Sequence, residues 1–503
     1  MTRDIDRELK QMNTIEVRPA EGPVRGTVEN GVAVFRGVPF AEAPVGRLRF
    51  LAPAPARRRE HVLDTTSAAA VCPQIPARLG VVMGECPAVQ DENCLTVSVW
   101  APLAVDRLRP VLVWFHGGGY LSGGGSLAWY DGGILAREND IVVIGVNSRL
   151  GALGYLFKPG LNDGNMGLWD QIQALEWIVN NAASFGGDSK HVTLMGQSGG
   201  GHSITCMLSM PKTRGLIQRV ISLSTPFALQ PFSPEEAATT AARFCDKLQV
   251  DLSKPDALSR LQATPIGQIL DATISTLRGS LRAPGDPTPP FGPVATDGLP
   301  GGAAFQRAVE DAAARIDALI GTTADETLVF CKSDPRLAGL TFDSLPRTAE
   351  ALFGSSWSER IERAHKTRPG ATALEVLSEA QTAHYFGDGA WKLASAVAAG
   401  KGNAWMYRFD WSAAGCAFGA CHCVELPFAF GTLDAFERAP MLGAIDDQKT
   451  ALSAVFRGAI GSFVKHGTPN ADALPPWPKF LGNAPVLMQF NSALRCGLAQ
   501  PSA

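Results

Sequence analysis

Apolar residues along this chain fall into short runs that are separated by longer amphipathic stretches. Runs rich in Val, Ile, Leu and Phe favour strands buried on both faces, because β-branched and aromatic side chains fit a covered pleated surface. Cys94–Trp100 alternates apolar and polar residues and predicts a further strand. The predicted buried strands are Val111–Phe115, Ile141–Val146, Val192–Met195, Val220–Leu223, Ile316–Ile320, Trp405–Phe409 and Val486–Phe490.

Two local patterns add a hairpin and a helix. The segment Val24–Phe35 alternates around Asn30-Gly31, a strong signal for a two-residue hairpin turn. Apolar residues from Leu168 to Phe185 repeat at helical spacing, and two glycines follow them. Strands alternating with helices predict the α/β class, with a mostly parallel twisted sheet covered by helices on both faces.

The domain organisation follows from length and from the absence of a linker pattern. The chain has 503 residues, and we predict a single domain over residues 1–503. Polar and apolar residues mix at helical spacing over residues 230–275 and 333–400, which predicts helical cap insertions over the sheet at about residues 230–300 and 333–400. Residues 279–302 are rich in Pro and Gly and predict a long surface connection.

Composition narrows the class of protein. Apolar residues make up 46% of the chain and charged residues 18%, and the net charge is −3, which gives no reason to expect nucleic acid as a partner. No run approaches the ~18 apolar residues of a membrane span, so we expect no membrane partner. The N-terminus has no apolar signal region and the ten cysteines are few for the length. We therefore expect a cytoplasmic monomer or homodimer with reduced thiols.

The strongest chemical signal is Gly196-Gln197-Ser198-Gly199-Gly200, which directly follows a predicted buried strand. This G-x-S-x-G pattern is a nucleophile elbow, a turn so sharp that only small residues fit beside the serine. The alternative is a polar residue in a glycine-rich turn. We predict Ser198 as the nucleophile.

A second glycine-rich element, His116-Gly117-Gly118-Gly119-Tyr120, also ends a predicted strand. Backbone N–H groups converge on one oxygen only where no side chain blocks the approach. We therefore predict that Gly118 and Gly119, with the N–H of Gly199, form an oxyanion hole. A phosphate-binding loop is the alternative, but no helix with a lysine follows.

The base and the acid are less well determined by the residues alone. The chain order Ser, acid, His leaves His365, His384, His422 and His466 as bases. His422 lies in a short segment after a predicted strand, whereas His202 on the helix after the nucleophile should face packing partners. The flanking cysteines of His422 make a poor tetrahedral metal site, so we expect no metal. The acid is Asp325 or Glu326.

Further motifs occur in order over roughly residues 20–490, and with them the chain resembles the type-B carboxylesterases. This is an α/β-hydrolase family that includes the cholinesterases and the bacterial para-nitrobenzyl esterases. The resemblance implies that Glu326 is the acid and that no cofactor is needed. The motifs are Phe35–Ala41, Pro44–Gly46, Leu48–Phe50, Glu92–Leu95, His116–Gly119, Asn147–Gly151, Gly164–Leu168, Phe185–Asp188, the elbow, His422–Leu426 and Gly467–Asn470.

The resemblance also assigns supporting residues. Ser224 corresponds to a buried polar residue near the triad, Glu92 and Arg149 to a structural ion pair, and Cys72 and Cys94 to a disulfide that we expect to be reduced here. The chain departs from the family in three places: Thr327 replaces a Gly after the acid, Gln197 replaces a Glu and Gly199 replaces an Ala. Our hypothesis is that Gln197 shifts the pH profile or the acyl preference.

These observations predict a serine carboxylic-ester hydrolase that forms an acyl-enzyme on uncharged short-to-medium acyl or aryl esters. Aromatic residues near the glycine-rich loops predict an apolar pocket lined by Tyr120, Trp129 and Phe227, with Gln197. One competing hypothesis is the same triad specialised for a carbamate, anilide or lactone. A lipase with a lid is a second, and a non-catalytic binding or adhesion relative is a third.

Overall fold

Thirteen strands form the central sheet of the computed structural model, which describes residues 13–104, 106–279, 282–296, 298–482 and 485–498. A separate hairpin pairs β8 with β9. The strands are β1 Thr14–Val17, β2 Val24–Glu29, β3 Val32–Pro39, β4 Leu63–Asp64, β5 Thr96–Pro102, β6 Arg109–Phe115, β7 Val142–Val146, β8 Phe157–Lys158, β9 Asn162–Asp163, β10 Gly187–Gln197, β11 Arg219–Leu223, β12 Asp317–Thr323, β13 Ala404–Phe409, β14 Val486–Phe490 and β15 Arg495–Leu498.

The strand order in the large sheet is β1-β2-β3-β5-β7-β6-β10-β11-β12-β13-β14-β15, and β4 pairs with β2. The run from β7 through β6 to β14 is parallel, whereas the strands flanking it pair antiparallel. Alternate residues of β6 enter different cores: Val111 and Val113 pack in one cluster, Leu112 and Trp114 in the other. The parallel strands are therefore buried on both faces, and the predicted α/β class is confirmed.

Helices connect and cover these strands. Short 3₁₀ segments occur at Gly46–Leu48, Ala128–Tyr130, Ala182–Phe185, Pro335–Leu337, Gly354–Ser356 and Leu433–Phe436, and a π-helical turn at Ala383–Gly387. The α-helices are Gly80–Met83, Gly133–Asn139, Gly151–Tyr155, Met166–Asn181, Gly199–Ser209, Pro211–Arg214, Pro234–Lys247, Ala257–Ala263, Ile266–Arg278, Gly302–Ala313, Leu328–Ser333, Leu345–Phe353, Trp357–Thr367, Ala373–Thr382, Asp388–Ala399, Leu426–Phe430 and Asp447–His466.

The local sequence signals correspond closely to these elements. Asn30 (φ 49°) and Gly31 (φ 80°) both adopt positive φ, as a tight hairpin turn between β2 and β3 requires. The helix predicted from Leu168 onward runs over Met166–Asn181, continues as a 3₁₀ turn and ends at Gly186 with φ 77°. The strand predicted over Cys94–Trp100 is shifted to Thr96–Pro102.

Several helices lie in the regions where we predicted cap insertions, while the division into one domain with insertions stays a prediction. The expected surface connection over residues 279–302 is wrong for residues 289–294, which are buried. Phe291 is 2% exposed and Val294 1%, because this segment packs beneath neighbouring elements. In the parts of the chain that the structure describes, no helix combines the length and hydropathy needed to cross a membrane.

Candidate active site

The turn between β10 and the helix Gly199–Ser209 carries Ser198 in a strained backbone conformation. Its φ is 53° and its ψ is −121°, outside the regions that ordinary residues populate. The Ser198 N–H donates to the Leu223 carbonyl on β11 at 3.0 Å. A Cβ at Gly196 would lie 2.6 Å from the Gly200 carbonyl carbon, so the turn closes only with glycines on both sides.

The loop after β6 approaches the same turn through its glycines. Gly118 has φ 112° and Gly119 φ 60°, and a Cβ at Gly118 would lie 2.0 Å from the Ser122 carbonyl oxygen. A Cβ at Gly117 would lie 3.2 Å from the Ser198 Cβ, and one at Gly199 would lie 3.5 Å from the Gly119 nitrogen. The three predicted oxyanion glycines and Ser198 line the same cavity.

The imidazole of His422 and the carboxylate of Glu326 meet in the protein interior, where they are 1% and 0% exposed. His422 Nδ1 donates to Glu326 Oε2 at 2.5 Å. The other carboxylate oxygen, Oε1, accepts from the Thr323 N–H at 2.8 Å. With its proton on Nδ1, the imidazole has an Nε2 lone pair that can accept a hydrogen bond or a proton.

The neighbouring carboxylate, Asp325, holds the backbone of the histidine segment. Its Oδ2 accepts from the Ala420 N–H at 2.9 Å, and its own N–H donates to the Ala420 carbonyl at 2.9 Å. Arg368 pairs with the other oxygen of Asp325. Of the two adjacent acids that the sequence left open, the geometry therefore places Glu326 on the imidazole and Asp325 on the loop.

Gln197 occupies the remaining nitrogen of the imidazole. Its amide Nε2 lies 3.1 Å from His422 Nε2 and donates to Cys423 Sγ at 3.3 Å. Gln197 is 0% exposed, and its Oε1 lacks a hydrogen-bond partner among the described residues. In the described part of the chain, His422 Nε2 is therefore bonded to Gln197 and not to the Ser198 hydroxyl.

A second buried carboxyl, Glu425, lies near Glu326 and His422. The Ser224 hydroxyl donates to its Oε1 at 3.1 Å, and Ser224 itself has φ 47° and is 1% exposed. Burial, and after it the negative charge of Glu326, raise the pKa of Glu425 to about 7. Ser224 thus lies where the resemblance predicted it, and it holds this second carboxyl.

Ser198 and His422 open into one cavity of about 540 Å³, within the range of small-molecule sites. Tyr120, Trp129 and Gln197 line it as predicted. Phe227 is placed elsewhere: its Cβ packs against Gly389, where an added Cβ would lie 2.1 Å away. Its chain neighbour Pro226 lines the cavity instead.

Sequence reasoning missed many of the lining residues, among them Arg78, Phe330, Phe386 and Cys423. The ring centroids of Phe330 and Phe386 lie 5.7 Å and 5.2 Å from that of His422. Of these four residues, only Cys423 had a sequence signal, because it adjoins the predicted base His422. Phe386 lies in the π-helical turn, a backbone form frequent at functional sites but not visible in sequence.

His202 faces packing partners, as predicted. Its Nδ1 lies 2.6 Å from the Tyr120 hydroxyl and its Nε2 3.2 Å from the Leu229 carbonyl. Burial lowers the pKa of His202 to about 4, so the ring stays neutral at ordinary pH. This contact supports Tyr120 from behind the cavity.

The ion pair expected between Glu92 and Arg149 is wrong. Arg149 forms a bidentate pair with Asp170, with N–O distances of 2.8 Å and 2.6 Å. Glu92 pairs with Arg49 at 2.5 Å. Asp170 is 0% exposed on the helix Met166–Asn181, so a fully buried carboxylate takes the buried guanidinium. Both pairs are structural.

The cysteines are free in the structure, and Cys72 and Cys94 are buried side by side. Of the groups that the structure describes, no three His, Cys, Asp or Glu side chains come together as a metal site would require. Cys423 contacts Gln197, and His422 is engaged by Glu326.

Comparison with known proteins shows the family of this chain. The carboxylesterase family model matches residues 12–499. The chain belongs to the carboxylesterase family. The para-nitrobenzyl esterase of Bacillus subtilis is 35% identical over 468 residues, 91% of each protein. A probable N-octanoylanthranilate hydrolase of Rhodococcus erythropolis is 36% identical over 465 residues, 91% of this chain and 93% of that protein.

Among solved structures, a thermophilic PNB esterase is similar with a TM-score of 0.85 and 33% identity. The similarity covers 96% of this chain and 97% of that one. The protein is therefore a carboxylesterase with the α/β-hydrolase fold, and the expected family, fold and enzyme class are confirmed.

Proposed function

We propose that this carboxylesterase hydrolyses esters through a triad of Ser198, His422 and Glu326. One observation carries the proposal: the hydrogen bond of 2.5 Å between His422 Nδ1 and Glu326 Oε2. It fixes the imidazole tautomer, with Nε2 facing the cavity that Ser198 also lines. A base oriented by a buried carboxylate beside a serine is the arrangement that acyl transfer requires.

In the proposed reaction, His422 Nε2 takes the proton of Ser198 as its Oγ attacks the ester carbonyl. The N–H groups of Gly118, Gly119 and Gly199 stabilise the oxyanion, and His422 then protonates the leaving alcohol. Water attacks the acyl-enzyme by the same steps and releases the acid. No cofactor takes part.

Gln197 has a place in this sequence of steps. Its amide donates to the neutral His422 Nε2, so it competes with Ser198 in the resting state. When Nε2 is protonated, rotation of the amide brings Oε1 to accept a hydrogen bond from the Nε2–H. A carboxylate at this position would favour only the protonated imidazole, and we propose that Gln197 thereby sets the pH profile or the acyl preference.

The cavity supports a substrate class as well as a reaction. Its volume of about 540 Å³ and its lining by Trp129, Tyr130, Phe330 and Phe386 suit uncharged short-to-medium acyl or aryl esters. An anilide is the second candidate bond, because a relative at 36% identity is named for an N-acyl anthranilate. Carbamates and lactones are open to the same triad. Cytoplasmic location and a monomeric or dimeric state stay predictions.

The test is hydrolysis of p-nitrophenyl esters of increasing acyl length by the wild type and by Ser198→Ala. We expect the variant to lose on the order of 10⁴- to 10⁶-fold in kcat, as loss of a triad nucleophile does. Ser209→Ala is the matched control, because Ser209 ends the same helix and bonds only the Cys206 carbonyl among the described residues.

The acyl length with the highest kcat/KM measures the acyl side of the cavity. A wild type that cleaves none of these esters, while it cleaves an anilide or a carbamate, would show a specialised member. A folded wild type inactive on all of them would show a binding protein and overturn the proposal.

A further inference from the structure

Arg78 brings a positive charge into the active-site cavity from outside the sheet. It precedes the short helix Gly80–Met83 and lines the cavity together with Ser198 and His422. The segment that carries Arg78 is attached to the loop after β6, since Gln74 Oε1 accepts from the Gly123 N–H at 2.6 Å and Gln74 Nε2 donates to the Gly123 carbonyl at 2.9 Å. Arg78 is therefore fixed to the loop of the oxyanion glycines.

The guanidinium of Arg78 is oriented by two contacts. Its Nη1 donates to the Pro287 carbonyl at 2.8 Å. The guanidinium carbon lies 5.5 Å from the centroid of the Phe330 ring, and this ring in turn lies 5.7 Å from the His422 ring. A single aromatic ring thus separates the guanidinium from the imidazole.

These contacts leave the charge of Arg78 without a carboxylate. In the described ranges, no acidic side chain lies within ion-pair distance of it; Asp286, whose charge acts on it, is paired with Arg282 at 3.8 Å. Burial lowers the pKa of Arg78, but an arginine stays protonated. Among the described lining residues Glu85 is also charged, and it is exposed to solvent.

A partly buried guanidinium that offers free N–H donors to a ligand cavity is suited to a carboxylate, which accepts two parallel hydrogen bonds. Among the contacts described for Arg78, Nη1 has a protein acceptor while Nε and Nη2 have none. We propose that Arg78 binds an anionic group, in the first place a carboxylate, on the leaving-group part of the substrate.

The position of the anion follows from the mechanism. His422 Nε2 protonates the leaving group, so that group lies against the imidazole when the bond breaks. Phe330 packs on the same imidazole, and the guanidinium of Arg78 lies over the Phe330 ring. An aryl leaving group beside Phe330 therefore places a ring substituent near the guanidinium. The inference rests on the proposed function and adds a second substrate class to the uncharged esters.

The test compares phenyl acetates that carry a carboxylate at the 2-, 3- or 4-position with the corresponding carboxamides, which have similar shape without the charge. We expect Arg78→Met, which keeps an apolar stem against Phe330, to lower kcat/KM for at least one carboxylate roughly 10- to 100-fold relative to its carboxamide. The loss should lie in KM. Arg78→Lys should retain part of the preference, and added salt should weaken it in the wild type.

Arg57→Met is the control, since Arg57 is exposed, pairs with Glu42 at 2.8 Å and does not line the cavity. This control variant should leave the ratio of kcat/KM for the carboxylate to kcat/KM for the carboxamide unchanged. If Arg78→Met lowers kcat/KM equally for the carboxylate and the carboxamide, Arg78 only supports the cavity wall and the inference fails. If it affects carboxylates on the acyl part instead, the leaving-group placement fails. A wild type that cleaves none of these esters would count against the proposed triad, not against the proposed role of Arg78.

Discussion

Ser198 and Arg78 line one cavity, but backbone contacts hold the first and side-chain contacts hold the second. At the catalytic edge, which we define as Gly117–Gly119, Ser198, Glu326 and His422, main-chain groups fix the reactive atoms: Ser198 N–H on Leu223 and Glu326 on Thr323 N–H. At the side-chain wall, defined as Arg78, Phe330 and Phe386, aromatic rings and one guanidinium pack on the imidazole.

Because the two regions are held differently, substitutions in them should have different effects. Groups at the catalytic edge cannot shift without breaking the sheet or the turn, so a change there should alter the rate of bond breaking. Groups in the side-chain wall are held mainly by each other, so a change there should alter which ester binds. Substitutions at and beside the catalytic edge test this division, from the largest expected effect to the smallest.

The adjacent acids give the largest contrast. Glu326→Gln removes the charge that fixes and stabilises the His422 imidazole, and we expect kcat to fall by about 10⁴-fold, as for loss of a triad acid. Asp325→Asn keeps an oxygen for the Ala420 N–H but loses the Arg368 pair. It should reduce kcat less than tenfold and lower the free energy of unfolding by about 1–3 kcal/mol.

Esterase kinetics and denaturant unfolding of the two variants, measured side by side, separate these outcomes. Equal losses of kcat in both variants would contradict the assignment of Glu326 as the acid. A loss confined to Asp325→Asn would make Asp325 the acid and the Glu326 contact structural.

Gln197 contacts His422, and its replacement should shift the pH profile of kcat/KM without removing activity. In Gln197→Glu a carboxylate faces His422 Nε2, favours the imidazolium and raises the pKa of the imidazole. Because the proposed reaction needs neutral His422, the acidic limb of kcat/KM against pH should move upward by roughly one pH unit. Gln197→Met, which is neutral, should leave that limb in place.

The pH–rate profile of these variants with a neutral ester is the measurement. An unchanged limb together with an unchanged acyl preference in Gln197→Glu would mean that the Gln197 contact with His422 has no part in setting either property. The buried Glu425, with its pKa raised to about 7, would then be the neighbouring group to test.

The glycine-rich turns of the catalytic edge have local sequence signals, whereas Glu326 was separated from Asp325 only by the family resemblance. A buried strand followed by small residues predicts Ser198, and Asn30-Gly31 predicts a hairpin, since only a few residue types tolerate those backbone angles. The side-chain wall has no such signal. Arg78 meets the carbonyl of Pro287 across 209 residues of chain, and only the folded packing brings the two together.

The same distinction explains the errors. The prediction that Glu92 pairs with Arg149 failed because any of several carboxylates satisfies a guanidinium, and burial of Asp170 decides which one does. The prediction that Phe227 lines the cavity failed because an aromatic residue near a loop can pack either into the cavity or behind it. Here it packs on Gly389, and the next residue toward the N-terminus, Pro226, lines the cavity.

Gly199 offers the smallest expected effect and the finest test of the catalytic edge. A Cβ there would lie 3.5 Å from the Gly119 nitrogen and 3.6 Å from that of Tyr120, which are ordinary contact distances, and Gly199 is not among the residues with positive φ. Gly199→Ala should therefore keep kcat within about threefold and stabilise the helix by up to about 1 kcal/mol.

Gly200→Ala is the matched contrast one residue later, since its Cβ would lie 2.0 Å from the Phe115 carbonyl oxygen on β6. We expect it to misfold or to unfold at much lower temperature, whereas thermal unfolding of Gly199→Ala should match the wild type or exceed it. A large loss of kcat in folded Gly199→Ala would show that the oxyanion N–H needs the freedom of a glycine. The catalytic edge would then depend on a mobile backbone rather than on a fixed one.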